Sequence, residues 1–265
     1  MSRRSRRPAF GCALSRRIGI ESDDSYSGEV TASAPPSPRP APQPGAIYFV
    51  GRAVLRPLFW LLYRPRIVGR GNVPERGPVL LASNHLAALD TVIIPTSATR
   101  PVQFLIKSAY FTGSGMPGRF KRWFFTSIGG VPVYRATGRD ARAALDAGSS
   151  ILRAGSVFAV FPEGSRSRDG KLHEGHGGAA WMARETRAAV VPVGLIGTRI
   201  VKPLSHLLPG RPRVEVHFGE PLDLADLEGV PDGKARREIT ERMMAAIARL
   251  SRQERSGSVN ATSRD

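Results

Sequence analysis

From Pro78 onward, short apolar runs alternate with longer stretches of helical period. Residues 79–83, 102–106, 131–134, 157–161, 190–196 and 214–218 read as strands, bounded by polar or turn-forming positions. Between them, 86–98, 118–126, 139–154 and 176–187 read as helices, and Gly155 is a natural stop for the third. The stretch 234–250 is amphipathic, with Ile239, Met243, Ala246, Ile247 and Leu250 on one side. Strands alternating with helices predict an α/β fold: a single domain with a largely parallel central sheet flanked by helices. Functional residues of such sheets collect beyond the carboxyl ends of the strands.

Upstream, residues 46–63 (AIYFVGRAVLRPLFWLLY) are strongly apolar, but Arg52 and Arg56 interrupt them, four apart on one helix face. Pro57 predicts a kink or a restart. The arginines argue against a spanning helix, and no uninterrupted apolar run of about 18 residues occurs. Two readings remain open: a helix lying in the headgroup layer with its arginines among phosphates, or one covering the domain's own core. The organisation expected is a disordered Pro/Arg-rich arm at 1–45, an interfacial helical segment at 46–70, the folded domain at 71–250 and a flexible tail at 251–265. The apolar stretch 8–14 is too short for a signal peptide.

Charge narrows the partners. Lys and Arg total 39 against 22 Asp and Glu, a formal +17. Such a surface suits nucleic acid, anionic lipid headgroups or phosphorylated substrates. Aromatics are 7% of the chain and show no regular interleaving with basic residues, so no stacking platform for single-stranded nucleic acid is evident. The single cysteine, Cys12, excludes an intrachain disulfide and a cysteine-based zinc site. His173 and His176 flank Glu174 without metal-site spacing, so no metal site is expected.

Four clusters could carry chemistry. The segment SNHLAALD follows the first strand and contains His85 and Asp90. A carboxylate beside a histidine fixes its tautomer and stabilises the imidazolium, the requirement for a general base. Residues five apart on a straight helix point away from each other, so the pair can meet only if His85 lies in the turn before the helix. FPEGSRS follows another strand: Gly164 permits close backbone approach, Arg166 can grip a phosphate, and a helical turn starting here would offer free N–H groups to an anion. Gly130–Arg135 brings an arginine to the end of a third strand. Pro192, in Val-Pro-Val, predicts an edge strand or a bulge.

The order Asn-His-x-x-x-x-Asp, Gly-x-Pro-x-x-Arg, Phe-Pro-Glu-Gly-Ser-Arg-Ser and Val-Pro-Val resembles the glycerolipid acyltransferases, whose best-known members are 1-acylglycerol-3-phosphate acyltransferases. The resemblance covers roughly residues 46–220. It implies that His85 is the general base and Asp90 its orienting partner. It implies that Lys107, Arg135, Glu163, Gly164, Ser165 and Arg166 bind the acceptor, and that Pro192 serves donor binding or local structure. It further implies an acyl-CoA or acyl-carrier-protein co-substrate, no cofactor or metal, and no acyl-enzyme. The expected product is phosphatidic acid. The expected location is the cytoplasmic side of the cell membrane, peripheral or monotopic, on an anionic surface and without nucleic acid. The sequence departs from the family at Ser165, where threonine is commoner, and at His176, where a lysine or arginine often stands. The competing readings are acylation of another lysophospholipid or an aminolipid and, more distantly, a basic nucleic-acid-binding protein.

Overall fold

The computed structural model describes residues 44–133, 138–204, 207 and 213–260. Seven strands form one sheet: β1 (Arg66–Val68), β2 (Val79–Ser83), β3 (Val102–Lys107), β4 (Gly130–Val133), β5 (Val157–Val160), β6 (Ala189–Ile196) and β7 (Glu215–Phe218). Their spatial order is β1-β7-β6-β2-β5-β3-β4. All neighbours run parallel except β6 and β7. The helices are α1 (Ala46–Tyr63), α2 (Asp90–Ser97), α3 (Gly115–Ser127), α4 (Gly138–Arg153), α5 (Gly178–Thr186) and α6 (Asp232–Ser251).

A parallel sheet must be covered on both faces, so its strands read as continuous apolar runs. β2 is the clearest case, buried at every position. Val79 and Leu81 face a cluster with Leu55 of α1, Val92, Ile93 and Ile94 of α2 and the half-buried Phe124 and Phe125 of α3. Leu80 and Ala82 face the other cluster, with Ile151 and Leu152 of α4, Ala180 and Met182 of α5, and Ile239 and Met243 of α6. The result is three layers, α1–α3 on one face and α4–α6 on the other. Truncating Leu80 or Leu81 to alanine would cost roughly 2–5 kcal/mol.

The sheet departs from the sequence expectation in three places. β1 is an added strand, paired parallel to β7 within the stretch assigned above to the helical segment. β6 is an interior strand, although a proline predicts an edge. Pro192 carbonyl accepts from Gly219 N–H (2.8 Å), on the side facing β7. The ring nitrogen faces that side too, at the margin of the β6–β7 pairing, so the bonds to β2 do not depend on it. Finally, the tail expected to be flexible is held as far as Asn260. Residues 252–260 lie along the loop after β5, with a bridge between Leu172 and Arg255. Residues 261–265, the arm as far as residue 43, and Arg135 with Tyr134 lie outside the described residues.

α1 covers the domain's own core with one side. Tyr48, Gly51 and Leu55 are buried against the domain. A Cβ on Gly51 would overlap the Ser127 side chain of α3, so only glycine permits this approach. Arg52 turns inward, away from any headgroup layer, and donates to the carbonyls of Ala98 (2.6 Å) and Arg100 (3.0 Å). The helix runs through Pro57. Its other face is exposed and apolar: Ile47, Val50, Val54, Leu58 and Leu61, with Phe49 and Trp60 beside them. Among the described residues it is the one helix long and apolar enough to cross a membrane, a length and composition compatible with membrane association. On α3, Met116 and Phe120 are also exposed, whereas Phe124 and Phe125 pack on the core.

Candidate active site

Two neighbouring parallel strands build the site. β2 and β5 pair with Ala82 beside Val160, so the segments that follow them leave the sheet side by side. α2 starts only at Asp90, later than the sequence pattern suggests, and residues 84–89 form the turn that the five-residue spacing demands.

That turn brings the pair together. His85 Nδ1 lies 2.9 Å from Asp90 Oδ2. The same oxygen accepts the backbone N–H of Leu86 (2.6 Å) and of Ala87 (2.8 Å). An oxygen already receiving two N–H donors acts as an acceptor, so Nδ1 carries the hydrogen and Nε2 is left with its lone pair. Asp90 is fully buried, and the His85 side chain is 15% exposed. Among the described residues nothing hydrogen-bonds Nε2. One imidazole face is covered by Phe161, stacked with ring centroids 3.9 Å apart and planes at 12°.

The His85 peptide is clamped from both ends by the loop after β5. Its N–H donates to Glu163 Oε1 (3.1 Å), and its carbonyl accepts from Ser167 N–H (2.8 Å). Glu163 Oε2 accepts from His173 N–H (3.0 Å). Both Glu163 oxygens therefore bind backbone inside the protein, where the side chain is 1% exposed. Glu163 orders the two segments. Burial pushes its pKa above the ordinary glutamate value, against the opposing pull of the His173 and His85 N–H groups and the nearby imidazoles.

Residues 162–170 form turns, bends and irregular chain, so no helical turn starts at this cluster. Gly164 has φ +73°, a conformation that favours glycine, and a Cβ there would sit 3.0 Å from the His176 ring. His176 thus lies against the loop, and its N–H donates to the Pro162 carbonyl (2.9 Å). Arg166 is exposed and Ser165 half-buried. Lys107 closes β3. Pro192 is buried within the sheet beside Ala82, below the rim that carries His85. His173 is occupied by Asp169 (Nε2 to Oδ1, 3.1 Å) and Ser256 (Nδ1 to Oγ, 3.0 Å), and no metal-holding cluster occurs among the described residues.

Sequence reasoning missed three participants. Phe161 ends a strand and opens the FPEGSRS cluster, with no role assigned to its ring. Asn84, fully buried, donates to the Leu195 carbonyl (2.9 Å) and accepts from the Leu195 N–H (2.8 Å), fixing the end of β2 to β6. Gln253, from the C-terminal segment, accepts from Asn84 Nδ2 (2.7 Å). A buried polar residue directly before His85 was the available signal for Asn84; nothing local marked Gln253.

A histidine oriented by a buried carboxylate, at the carboxyl end of a parallel strand and beside a basic loop, is a site for activating a hydroxyl next to an anion. The sequence pattern of the acyltransferase family matches residues 64–196, which contain this whole constellation, and the chain belongs to that family. It is 32% identical over 159 residues to the chloroplastic 1-acyl-sn-glycerol-3-phosphate acyltransferase of Arabidopsis thaliana, covering 58% of this chain and 43% of that protein. It is 30% identical over 152 residues to the 1-acyl-sn-glycerol-3-phosphate acyltransferase of Borreliella burgdorferi, covering 57% and 59%. The chain thus spans about half the length of the curated relatives it matches. The fold is similar to the crystal structure of the 1-acyl-sn-glycerophosphate acyltransferase PlsC of Thermotoga maritima, with a TM-score of 0.53, 24% identity, and coverage of 77% of this chain and 79% of that one.

Proposed function

We propose that the protein transfers a fatty acyl group from an acyl thioester, of coenzyme A or acyl carrier protein, to the free hydroxyl of 1-acylglycerol-3-phosphate, giving phosphatidic acid. The observation that carries this reading is the His85–Asp90 pair at the rim of the sheet, 2.9 Å apart with Nε2 unengaged. In this reading Nε2 takes the proton of the acceptor hydroxyl as its oxygen attacks the thioester carbonyl. The tetrahedral intermediate collapses, the C–S bond breaks, and the imidazolium returns the proton to the departing thiolate. Asp90 stabilises the imidazolium between those steps. The acceptor phosphate is assigned to the exposed Arg166, with Lys107 and Arg135 as further cations, and holding it at a distance orients the hydroxyl. The names of the relatives from Arabidopsis and Borreliella support the acceptor.

The apolar face of α1 and the net charge of +17 support attachment to an anionic membrane surface, on the cytoplasmic side, as a peripheral or monotopic protein. A second acceptor class stays in view because of His176. An imidazole packs on Gly164 where the family often carries a stronger cation, which suits a different lysophospholipid or an aminolipid.

The test is thiol release from an acyl thioester in the presence of lysophosphatidate, with wild type and His85→Ala side by side. The expected result is turnover by the wild type and a loss of roughly 10²–10⁴-fold in the variant. Turnover confined to another lysolipid would replace the acceptor; full activity of His85→Ala would remove the mechanism.

A further inference from the structure

The segment after α6 lies along the loop that carries Glu163, Ser165 and Arg166. Leu172 N–H donates to the Glu254 carbonyl and its own carbonyl accepts from Ser256 N–H, each at 2.9 Å. Glu174 N–H donates to the Ser258 carbonyl (2.9 Å). Asn260 Nδ2 donates to the Ser165 carbonyl (3.2 Å). These bonds tie the segment to the loop alone. Gln253 is different because it reaches both sides of the site. Its Oε1 accepts from Asn84 Nδ2 (2.7 Å), and its Nε2 donates to the Gly170 carbonyl (2.8 Å).

Asn84 directly precedes His85, and its remaining amide groups are spent on Leu195. An amide side chain carries an accepting oxygen and a donating NH2 group at a fixed span, so Gln253 can hold two partners at a set separation. We propose that Gln253 is a positioning residue for acyl transfer: it fixes the distance between the turn that carries His85 and the loop 163–174 that binds the acceptor. The inference rests on the acyl-transfer reading above. Gln253 touches neither His85 nor Arg166; it acts through Asn84 on one side and Gly170 on the other. Without it, one hydrogen of the fully buried Asn84 amide loses its partner, and the C-terminal segment stays paired with the loop but is no longer registered to β2. A general base and an acceptor held even an ångström out of register lose rate steeply, of order 10²-fold at the extreme.

The experiment compares wild type, His85→Ala, Gln253→Ala and Gln253→Glu in steady-state acyl transfer, normalised to folded protein, with hydrogen exchange of loop 163–174 measured on the same samples. Wild type against His85→Ala judges the reaction itself and is independent of Gln253. For Gln253→Ala, kcat falls roughly ten- to hundredfold while KM for both substrates stays within about threefold. Exchange in the loop rises. A side chain that served stability alone would lower the melting temperature and the folded fraction and leave kcat per folded molecule unchanged. Gln253→Glu keeps the acceptor for Asn84 but has no donor for Gly170, so it is as slow as Gln253→Ala if the span between the two ends matters. A wild-type kcat in Gln253→Ala, full rescue by Gln253→Glu, or unchanged exchange in loop 163–174 would each overturn the proposal.

Discussion

The ring of Phe161 lies flat on that of His85, 3.9 Å between centroids and 12° between planes. The two residues end up in contact because β2 and β5 are adjacent parallel strands, and each ring belongs to the segment leaving its strand. Phe161 closes one side of the imidazole while Asp90 fixes its edge, so the ring is held in a plane as well as by a hydrogen bond. Replacing Phe161 with alanine should lower kcat about tenfold, since such stacking contributes on the order of 1 kcal/mol beyond area burial. Phe161→Tyr, which keeps the ring, should stay within about twofold of wild type. Steady-state kinetics of the two variants decide it.

Asp90→Asn preserves volume but removes the carboxylate. Three N–H groups converge on Asp90 Oδ2; an asparagine oxygen can take that place, but its NH2 then stands at Oδ1, a buried position with no hydrogen-bond partner, and the amide carries no charge. The expected outcome is a loss of kcat of roughly 10²–10⁴-fold, because the imidazolium then loses the charge that stabilises it. Unfolding in urea should show a cost of about 2–4 kcal/mol for the broken buried network.

Glu163 gives a pH signature with a defined sign. Burial raises its pKa in the folded state, so as pH falls the native protein takes up this proton before the unfolded chain does. Its contribution to stability is fully present below the ordinary glutamate pKa and is lost as pH rises through the folded value. Glu163→Gln removes the titration. The stability difference, wild type minus variant, should therefore decline with rising pH across that window, as read from urea midpoints between about pH 4 and 7. A difference that is flat, or that grows with pH, would contradict the burial argument.

Gly164→Ala tests backbone strain in the same loop. A β-carbon at φ +73° and 3.0 Å from the His176 ring should destabilise the fold by about 1–2 kcal/mol. Pairing it with His176→Ala should recover only the steric part, which a double-mutant cycle in urea measures.

The exposed face of α1 predicts a separable membrane phenotype. Val50→Asp with Leu61→Asp alters two exposed positions, so the melting temperature should shift by no more than about 2 °C. Co-sedimentation with anionic vesicles should fall at least tenfold, an estimate from the apolar area withdrawn from the bilayer. Equal binding by both proteins would place the contact elsewhere.

Much of the site was legible because its chemistry is local to strand ends. The five-residue spacing of His85 and Asp90 required a turn, and the turn is there. The alternation of apolar runs and helical periods gave the parallel sheet and six of its strands. The remaining strand, β1, has three residues between arginines and a glycine, too short for any period to register. The backbone partners of Glu163 were not legible, because they are amides of two distant segments, which no spacing reveals. Residues 252–260 read as frayed for the same reason: their order comes from pairing with Leu172 and Glu174, not from their own composition. Pro192 misled in the other direction, since the edge rule holds for the missing N–H and not for the strand as a whole.

The central place of β2 in the sheet also bears on the chain's synthesis. Both of its sheet neighbours, β5 and β6, come later in the sequence, as do the residues that grip its end: Glu163, Ser167, Leu195 and Gln253. A nascent chain therefore carries the His85–Asp90 pair well before the segments that clamp its turn, the last of which follows α6. A fragment that stops short of β5 would keep the histidine and its carboxylate but none of the distant partners that clamp their turn.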